Sequence, residues 1–209
     1  MKVVKFLVLG LLGLVVLLVL VAFVLPRKYE VVREIDIDAP ASRVFVEVNS
    51  LPNWKKWMAW VRKDPNMTIS YSGPESGVGC TSKWESESQG SGEMEIKESV
   101  PDQTVVYELR FPGFNPSTGT MTLTESNGKT HVRWADAGDL GNNPMSRWFG
   151  LFLDGMIGPD FEAGLTNLKT LCETPVEEPA AEEVPAAEGN EGEEAPAAEE
   201  GGSEGVPAE

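Results

Sequence analysis

Residues 119–137 read GTMTLTESNGKTHVRWADA, and the alternation in this stretch decides the fold. Met121 and Leu123 fall on one side of the chain, with Thr120, Thr122 and Thr124 on the other. Past the break, Val132 and Trp134 alternate with His131 and Arg133 in the same way. A period of two residues is that of a strand with one buried face. Between the two runs stands Asn127-Gly128, the pair favoured where both central residues of a tight hairpin need positive φ. The stretch is therefore an antiparallel hairpin.

Working outward, the same period holds from Asp64-Pro65-Asn66 onward, giving strands at Met67–Tyr71, Val78–Ser86, Ser91–Val100, Thr104–Phe111, Gly119–Glu125 and Lys129–Ala137. Ser72-Gly73-Pro74, Gln89-Gly90, Pro101-Asp102, Pro112-Gly113 and Ser126-Asn127-Gly128 separate them. An earlier strand is expected at Tyr29–Asp38, where Val31, Ile35 and Ile37 oppose Glu30, Glu34 and Asp36. Pro40 suits the first turn of a helix whose apolar face holds Val44, Phe45 and Val48, and a second short helix carries Trp54, Trp57 and Met58. Asn143-Pro144 opens a final helix running to Cys172, with an interruption expected at Gly158-Pro159. Strand, two helices, six strands and a long helix make an α+β domain, an antiparallel sheet with helices on one face.

Both ends of the chain differ from this middle. From Thr174 to Glu209 there are 12 Glu, no Lys or Arg and no aromatic residue, and Pro-Ala-Ala-Glu recurs at Pro179, Pro185 and Pro196. Such a composition cannot bury enough apolar surface to offset chain entropy, so residues 174–209 read as a disordered acidic tail. The formal charge of −16, less the tail's −12, leaves −4 for the remainder, with no Lys/Arg cluster beyond pairs. A duplex-binding protein needs a basic face, so nucleic acid is not an expected partner. At the other end, residues 6–25 are 20 uncharged residues, mostly Leu and Val. As a helix they span the ~30 Å hydrocarbon core, and no Cys or small-x-small site marks them for lipid anchoring or cleavage. The expected organisation is a membrane anchor at 1–28, a domain at 29–173 and the tail. Lys2 and Lys5 lie on one flank of the span, and Arg27, Lys28 and Arg33 on the other. A short basic N-terminus before a long domain favours a single-pass signal anchor in the cell membrane with the domain outside the cytoplasm, in the periplasm.

Several ordered pieces carry a resemblance over residues 29–173. They are Ile37-Asp38-Ala39-Pro40 with Val44-Phe45, then Trp54 and Trp57, then Tyr71-Ser72-Gly73-Pro74-Glu75 with Gly77-Val78-Gly79. Trp84, Ser99-Val100-Pro101 and Met156-Ile157-Gly158-Pro159-Asp160-Phe161-Glu162 with Gly164-Leu165 complete the set. In this order they resemble the START/polyketide-cyclase (SRPBCC) superfamily, and within it a bacterial polyketide cyclase/dehydrase-like subfamily. The resemblance implies a helix-grip fold, a curved antiparallel sheet of about seven strands wrapped on the C-terminal helix. It also implies a cavity between the two, used in the superfamily for lipids, sterols, polyketides and other apolar molecules. One chemistry is not implied, because the superfamily includes transporters, cyclases and chaperone-associated modules.

Strand parity selects the side chains that face such a cavity. Tyr71, Val78, Cys80, Ser82, Trp84, Met94, Ile96, Val105, Tyr107, Leu109, Phe111, Met121, Leu123, Val132 and Trp134 share the inward face, opposite Phe149, Phe152, Leu153 and Met156 of the long helix. The same residues would equally fill a solid core. The candidate ligand-binding set is Trp57, Tyr71, Trp84, Tyr107, Phe111, Trp134, Asp136, Phe152 and Met156. Asp136 has the inward parity of Trp134, and Arg33 that of Ile35. His131, the single histidine, is out of phase and should face solvent, so no catalytic residue is assigned. No metal ligand set or cofactor motif is present in the pattern. Cys80 and Cys172 both fit inward positions and are candidates either for burial or for a disulfide. The stretch from Trp148 to Ile157 is apolar nearly all round, which suits burial, or a hydrophobic portal near the bilayer formed with loops 111–119 and 138–143.

The expected function is a membrane-tethered binding module for an apolar small molecule or lipid. Two alternatives stay open. One is a cyclase- or hydratase-like enzyme using Tyr71, Tyr107 or Asp136 as proton donor or acceptor; the other is a protein-interaction module without a cavity.

Overall fold

The computed structural model describes residues 2–175, so nearly all of the acidic tail lies outside the described residues. Seven strands form one antiparallel sheet in the order β1-β7-β6-β5-β4-β3-β2. They are β1 (Lys28–Ile37), β2 (Thr68–Ser72), β3 (Thr81–Glu85), β4 (Gly92–Val100), β5 (Thr104–Arg110), β6 (Ser117–Ser126) and β7 (Lys129–Asp139). Six strands follow one another as a meander, and the first strand closes onto the last. The hairpin that decides the fold is made as its residues require. Asn127 and Gly128 have φ of 52° and 74°, and β6 meets β7 from Ser126↔Lys129 to Ser117↔Gly138.

Between β1 and β2 the chain forms three short helices, α2 (Ala41–Val48), α3 (Leu51–Trp54) and α4 (Ala59–Lys63). Met58 is extended between the last two, so the second short helix expected around Trp54, Trp57 and Met58 is split in two. After β7 come α5 (Pro144–Gly150) and α6 (Leu153–Glu173). Asn143 caps α5 by accepting from the Met145 amide at 2.9 Å, and Pro144 occupies its first position.

The interruption of the last helix lies at Leu151–Phe152 rather than at Gly158-Pro159, where α6 runs on unbroken. Pro159 removes the donor that would bond the Gly155 carbonyl, and Gly155 is exposed, so water can serve that carbonyl instead. Gly158 has a separate use. Arg33 crosses α6 there, and a Cβ on Gly158 would strike its guanidinium. Arg33 bonds Asp154 at 2.8 Å and Glu162 at 2.6 Å, one turn to either side of that glycine, so its charge is held at the surface and not offered to a ligand. Val78 also departs from expectation. It sits in the turn between Gly77 and Gly79, both with positive φ, and is 60% exposed.

One end of the space between sheet and helices is filled. Trp134 stacks on Phe161 with centroids 3.9 Å apart and planes 7° from parallel, while Trp57 and Trp54 approach Trp134 edge-on at 5.5 and 5.9 Å. Edge-to-face and offset geometries add about 0.5–1.5 kcal/mol per pair beyond burial. Gly164 lets α6 come down on this cluster, since a Cβ there would lie 3.2 Å from the Trp134 ring. Leu165, Leu168 and Cys172 continue the packing along the same face of α6.

The sheet contains a second pattern. Tyr29 lies across from Gly138, Tyr107 from Gly119 and Trp84 from Gly92. In each pair the aromatic ring lies flat over the glycine, in the space a Cβ would take. Adding a side chain at Gly119 therefore displaces Tyr107, which is buried and bonded to Trp134. Gly119→Val is expected to lower unfolding stability by about 2–4 kcal/mol. Gly155→Ala, where an added Cβ meets nothing within 4 Å, is expected to be neutral or stabilising. Urea unfolding of both variants beside the parent protein checks the contrast.

Candidate functional site

At the other end the sheet and the helices diverge around a cavity of about 710 Å³. Its floor is the first half of β6 and the second half of β7, with the ends of β5 and β1. Its roof is α5 and the first half of α6, with Phe149, Leu153, Met156 and Ile157 facing in, and Phe161 marking the limit. Its sides are Ile69, Tyr71, Ser82, Trp84 and Met94 from β2 to β4, and Met58 and Trp60 from the segment around α4.

The candidate residues divide three ways. Tyr71, Trp84, Tyr107, Phe111, Asp136 and Met156 are all brought to the cavity wall. Trp57 and Trp134 are fully buried in the packed cluster beyond it. Phe152 points outward and is 62% exposed. Parity places a strand residue on the correct face but does not say how far along the strand the hollow begins. Phe152 stands at the break itself, between the end of α5 and the start of α6, where the helical spacing used to place it no longer holds.

The polar chemistry is concentrated on the floor. Asp136 is 2% exposed, and its two oxygens accept from the Tyr29 hydroxyl and the Ser117 hydroxyl, each at 3.0 Å. Beside them the Tyr107 hydroxyl accepts from the Trp134 indole at 2.8 Å. The glycines explain the convergence. With Gly119 and Gly138 under the rings, Tyr107 and Tyr29 lie along the sheet instead of rising from it, and their hydroxyls come together around Asp136. Burial holds the Asp136 carboxyl above its ordinary range, against the opposing pull of its two hydroxyl donors. Burial and the Asp136 charge push both the Tyr29 and Tyr107 hydroxyls up, so both stay protonated at neutral pH, Tyr29 as the donor to Asp136. Among the described residues, no Lys or Arg pairs with Asp136. At the rim, Asp160 takes the Trp60 indole at 2.7 Å and Lys63 at 2.5 Å.

Tyr29 and Ser117 were not among the candidates, because each lies at the first residues of a strand, where parity is hardest to count. Glycines at inward positions of β6 and β7 were the available signal. His131 lies on the outer face against Asp36 at 2.8 Å, remote from the cavity. Cys80 and Cys172 are separate buried thiols, and burial pushes Cys172 up to about 11. Among the described residues, no group of three potential metal ligands converges.

An open antiparallel sheet that holds a long C-terminal helix over a hollow defines a helix-grip domain. Residues 28–173 match the family of polyketide cyclase/dehydrase and lipid transport proteins, and the chain belongs to that family. Solved structures share the fold at low identity. A protein from Mesorhizobium loti is 17% identical, with a TM-score of 0.53 over 70% of this chain and 99% of its own. A protein from Thermobifida fusca is 16% identical, with a TM-score of 0.54 over 68% of this chain and 92% of its own. The di-domain ARO/CYC BexL of the BE-7585A biosynthetic pathway is 15% identical, with a TM-score of 0.52 over 72% of this chain and 52% of its own. No curated protein matches the chain.

The environment of Asp136 has a measurable consequence. Burial favours its neutral form in the folded protein, so the folded state binds that proton more tightly than the unfolded state. The contribution is therefore present below the ordinary Asp range and is lost as pH rises through the raised value. Asp136→Asn removes the titration while keeping an acceptor for Tyr29. The stability of the variant relative to the parent is expected to rise as pH increases across that window, as read by urea unfolding at a series of pH values. A difference that does not change with pH would show that Asp136 titrates normally.

Proposed function

We propose that the protein is a membrane-tethered binding module, anchored by residues 6–25, whose domain at 29–173 holds an apolar small molecule or lipid in the cavity under α6. The observation that carries this reading is the cavity itself. Its volume lies in the ~300–1,000 Å³ range of small-molecule sites, and its walls are aromatic and aliphatic with few polar groups. Of the charged residues that line it, Asp136 is the most deeply buried, while Lys63 and Asp160 stand at the rim, so the molecule that fits best is largely apolar with a hydrogen-bonding end that reaches Asp136. Membership of a family that includes lipid transport supports a ligand-binding role. The apolar helix at Lys2–Val24 is long enough to cross a bilayer, and the short basic segment before it favours an extracytoplasmic domain. A module with a filled core, acting only through protein contacts, is disfavoured by the hollow.

One observation supports a second reading, a cyclase- or hydratase-like enzyme. Asp136, raised by burial and held by Tyr29 and Ser117, is oriented as a general acid or base would be. The binding reading needs only the hydrogen bonds of this group; the enzyme reading needs its proton.

Native mass spectrometry of the full chain, purified gently from its host, separates the readings. A reproducible apolar mass is expected on the parent protein, and its loss in Ser82→Trp, which projects a large ring into the cavity from β3 while leaving the fold intact by circular dichroism. Recovery of the same mass, chemically unchanged, from Asp136→Asn supports binding, whereas an altered mass in that variant supports the enzyme. Consistently empty parent protein would contradict both.

A further inference from the structure

We propose that the rim of the cavity formed by α5, the start of α6 and the β5–β6 loop rests in the bilayer leaflet that the C-terminal end of α1 (Lys2–Val24) enters, and that ligand passes through this rim directly from lipid. The inference rests on the reading of α1 as a membrane span, and adds where the mouth lies and what holds it there.

Register places the hollow at the membrane end of the domain. β1 begins at Lys28, four residues after α1 ends, and Tyr29 at its start lies on the cavity floor. The packed end of the space, around Trp134 and Phe161, is further from α1 along the same strands.

α5 then docks on the side of α1, not below its tip. The Arg147 guanidinium donates to the Phe23 carbonyl at 2.9 Å and the Ala22 carbonyl at 3.4 Å, and lies 5.5 Å from the centre of the Phe23 ring. Both carbonyls are among the last four of α1, which carry its negative dipole end, and that of Ala22 also accepts from the Leu25 amide at 3.3 Å. Arg147 also donates to the Gly141 carbonyl at 3.3 Å, which joins the loop at the cavity mouth to the same clamp. One residue on, the Trp148 indole donates to the Leu18 carbonyl at 3.2 Å. Leu18 lies about 9 Å of helix rise before Val24. If α1 spans the bilayer, α5 is therefore level with the interfacial layer and the outermost hydrocarbon.

The surface at that level is apolar. Phe114, Met145, Phe149, Leu151, Phe152 and Met156 are all exposed. Three of them, Phe114, Phe149 and Met156, also line the cavity, so the patch is the mouth itself. Phe114 and Phe149 face each other across it at 6.5 Å. The patch is continuous with α1 through α5, and apart from Ala22 the apolar side chains of α1 are exposed along its length. Lipid is the occupant that covers both surfaces at once, and aromatic residues are favoured at that depth.

The test uses the full chain in phosphatidylcholine vesicles, with the photoreactive residue benzoylphenylalanine placed at Phe114, at Phe152, or at Arg133 on the outer face of the sheet. Lipid adducts after irradiation are expected at the first two positions and at least tenfold fewer at the third. Arg147→Ala should reduce the adducts at Phe152 several-fold while alkaline carbonate still leaves the protein in the membrane pellet. Absence of adducts from protein that resists carbonate extraction would overturn the inference and leave the tether standing. Extraction of the parent protein by carbonate would overturn both. Adducts at Phe152 unchanged in Arg147→Ala would overturn the assignment of Arg147 as the clamp.

Discussion

The stack of Trp134 on Phe161 divides the space between sheet and helix, and most of the structure follows from where that contact falls. A sheet and a helix that touch at one point and diverge from it cannot both be packed along their whole length. On the side toward Leu165, Leu168 and Cys172 the helix lies close, drawn in by Gly164, and the interior is solid. On the side toward Met156 and Leu153 it lifts away, and side chains of ordinary size no longer meet. The cavity is the geometric complement of the stack, so its length is set by the position of two aromatic residues.

What keeps the hollow from filling is the treatment of the sheet beneath it. A strand residue with a side chain stands roughly perpendicular to the sheet, and a row of them would occupy the space. Gly119, Gly138 and Gly92 remove three of those side chains and let Tyr107, Tyr29 and Trp84 lie flat in their place. The same substitution of a ring for a side chain brings the Tyr29 hydroxyl onto Asp136 and sets the Tyr107 hydroxyl within reach of its charge. Structure and chemistry are thus joined at the same glycines: the rings they admit shape the volume and set the Tyr29 hydroxyl on the buried Asp136.

Much of this was legible in the sequence. Alternation located the strands to within a few residues, Asn127-Gly128 fixed the hairpin, and the ordered pieces from Ile37 to Leu165 pointed to the family. Inward parity picked out Tyr71, Trp84, Tyr107, Phe111 and Asp136 at the cavity wall. Parity could not separate these from Trp57 and Trp134, because buried is not the same as bordering a void, and a period of two carries no information about depth along the strand. The break at Leu151–Phe152 was hidden because local apolar residues continue through it, whereas Gly158-Pro159 looked like a break and is instead a passage for Arg33. The contact of Arg147 with the end of α1 joins residues far apart in the chain, and no local pattern announces it.

The hollow between Tyr107 and Met156 is what a ligand would need. A crystal structure of the chain purified without added lipid tests it most directly. Continuous density is predicted against the Tyr107 and Tyr29 side chains, reaching within hydrogen-bonding distance of Asp136, with the Trp134–Phe161 stack closing the far end. Side chains collapsed across the gap, leaving less room than the ~30 Å³ of a single water, would contradict it.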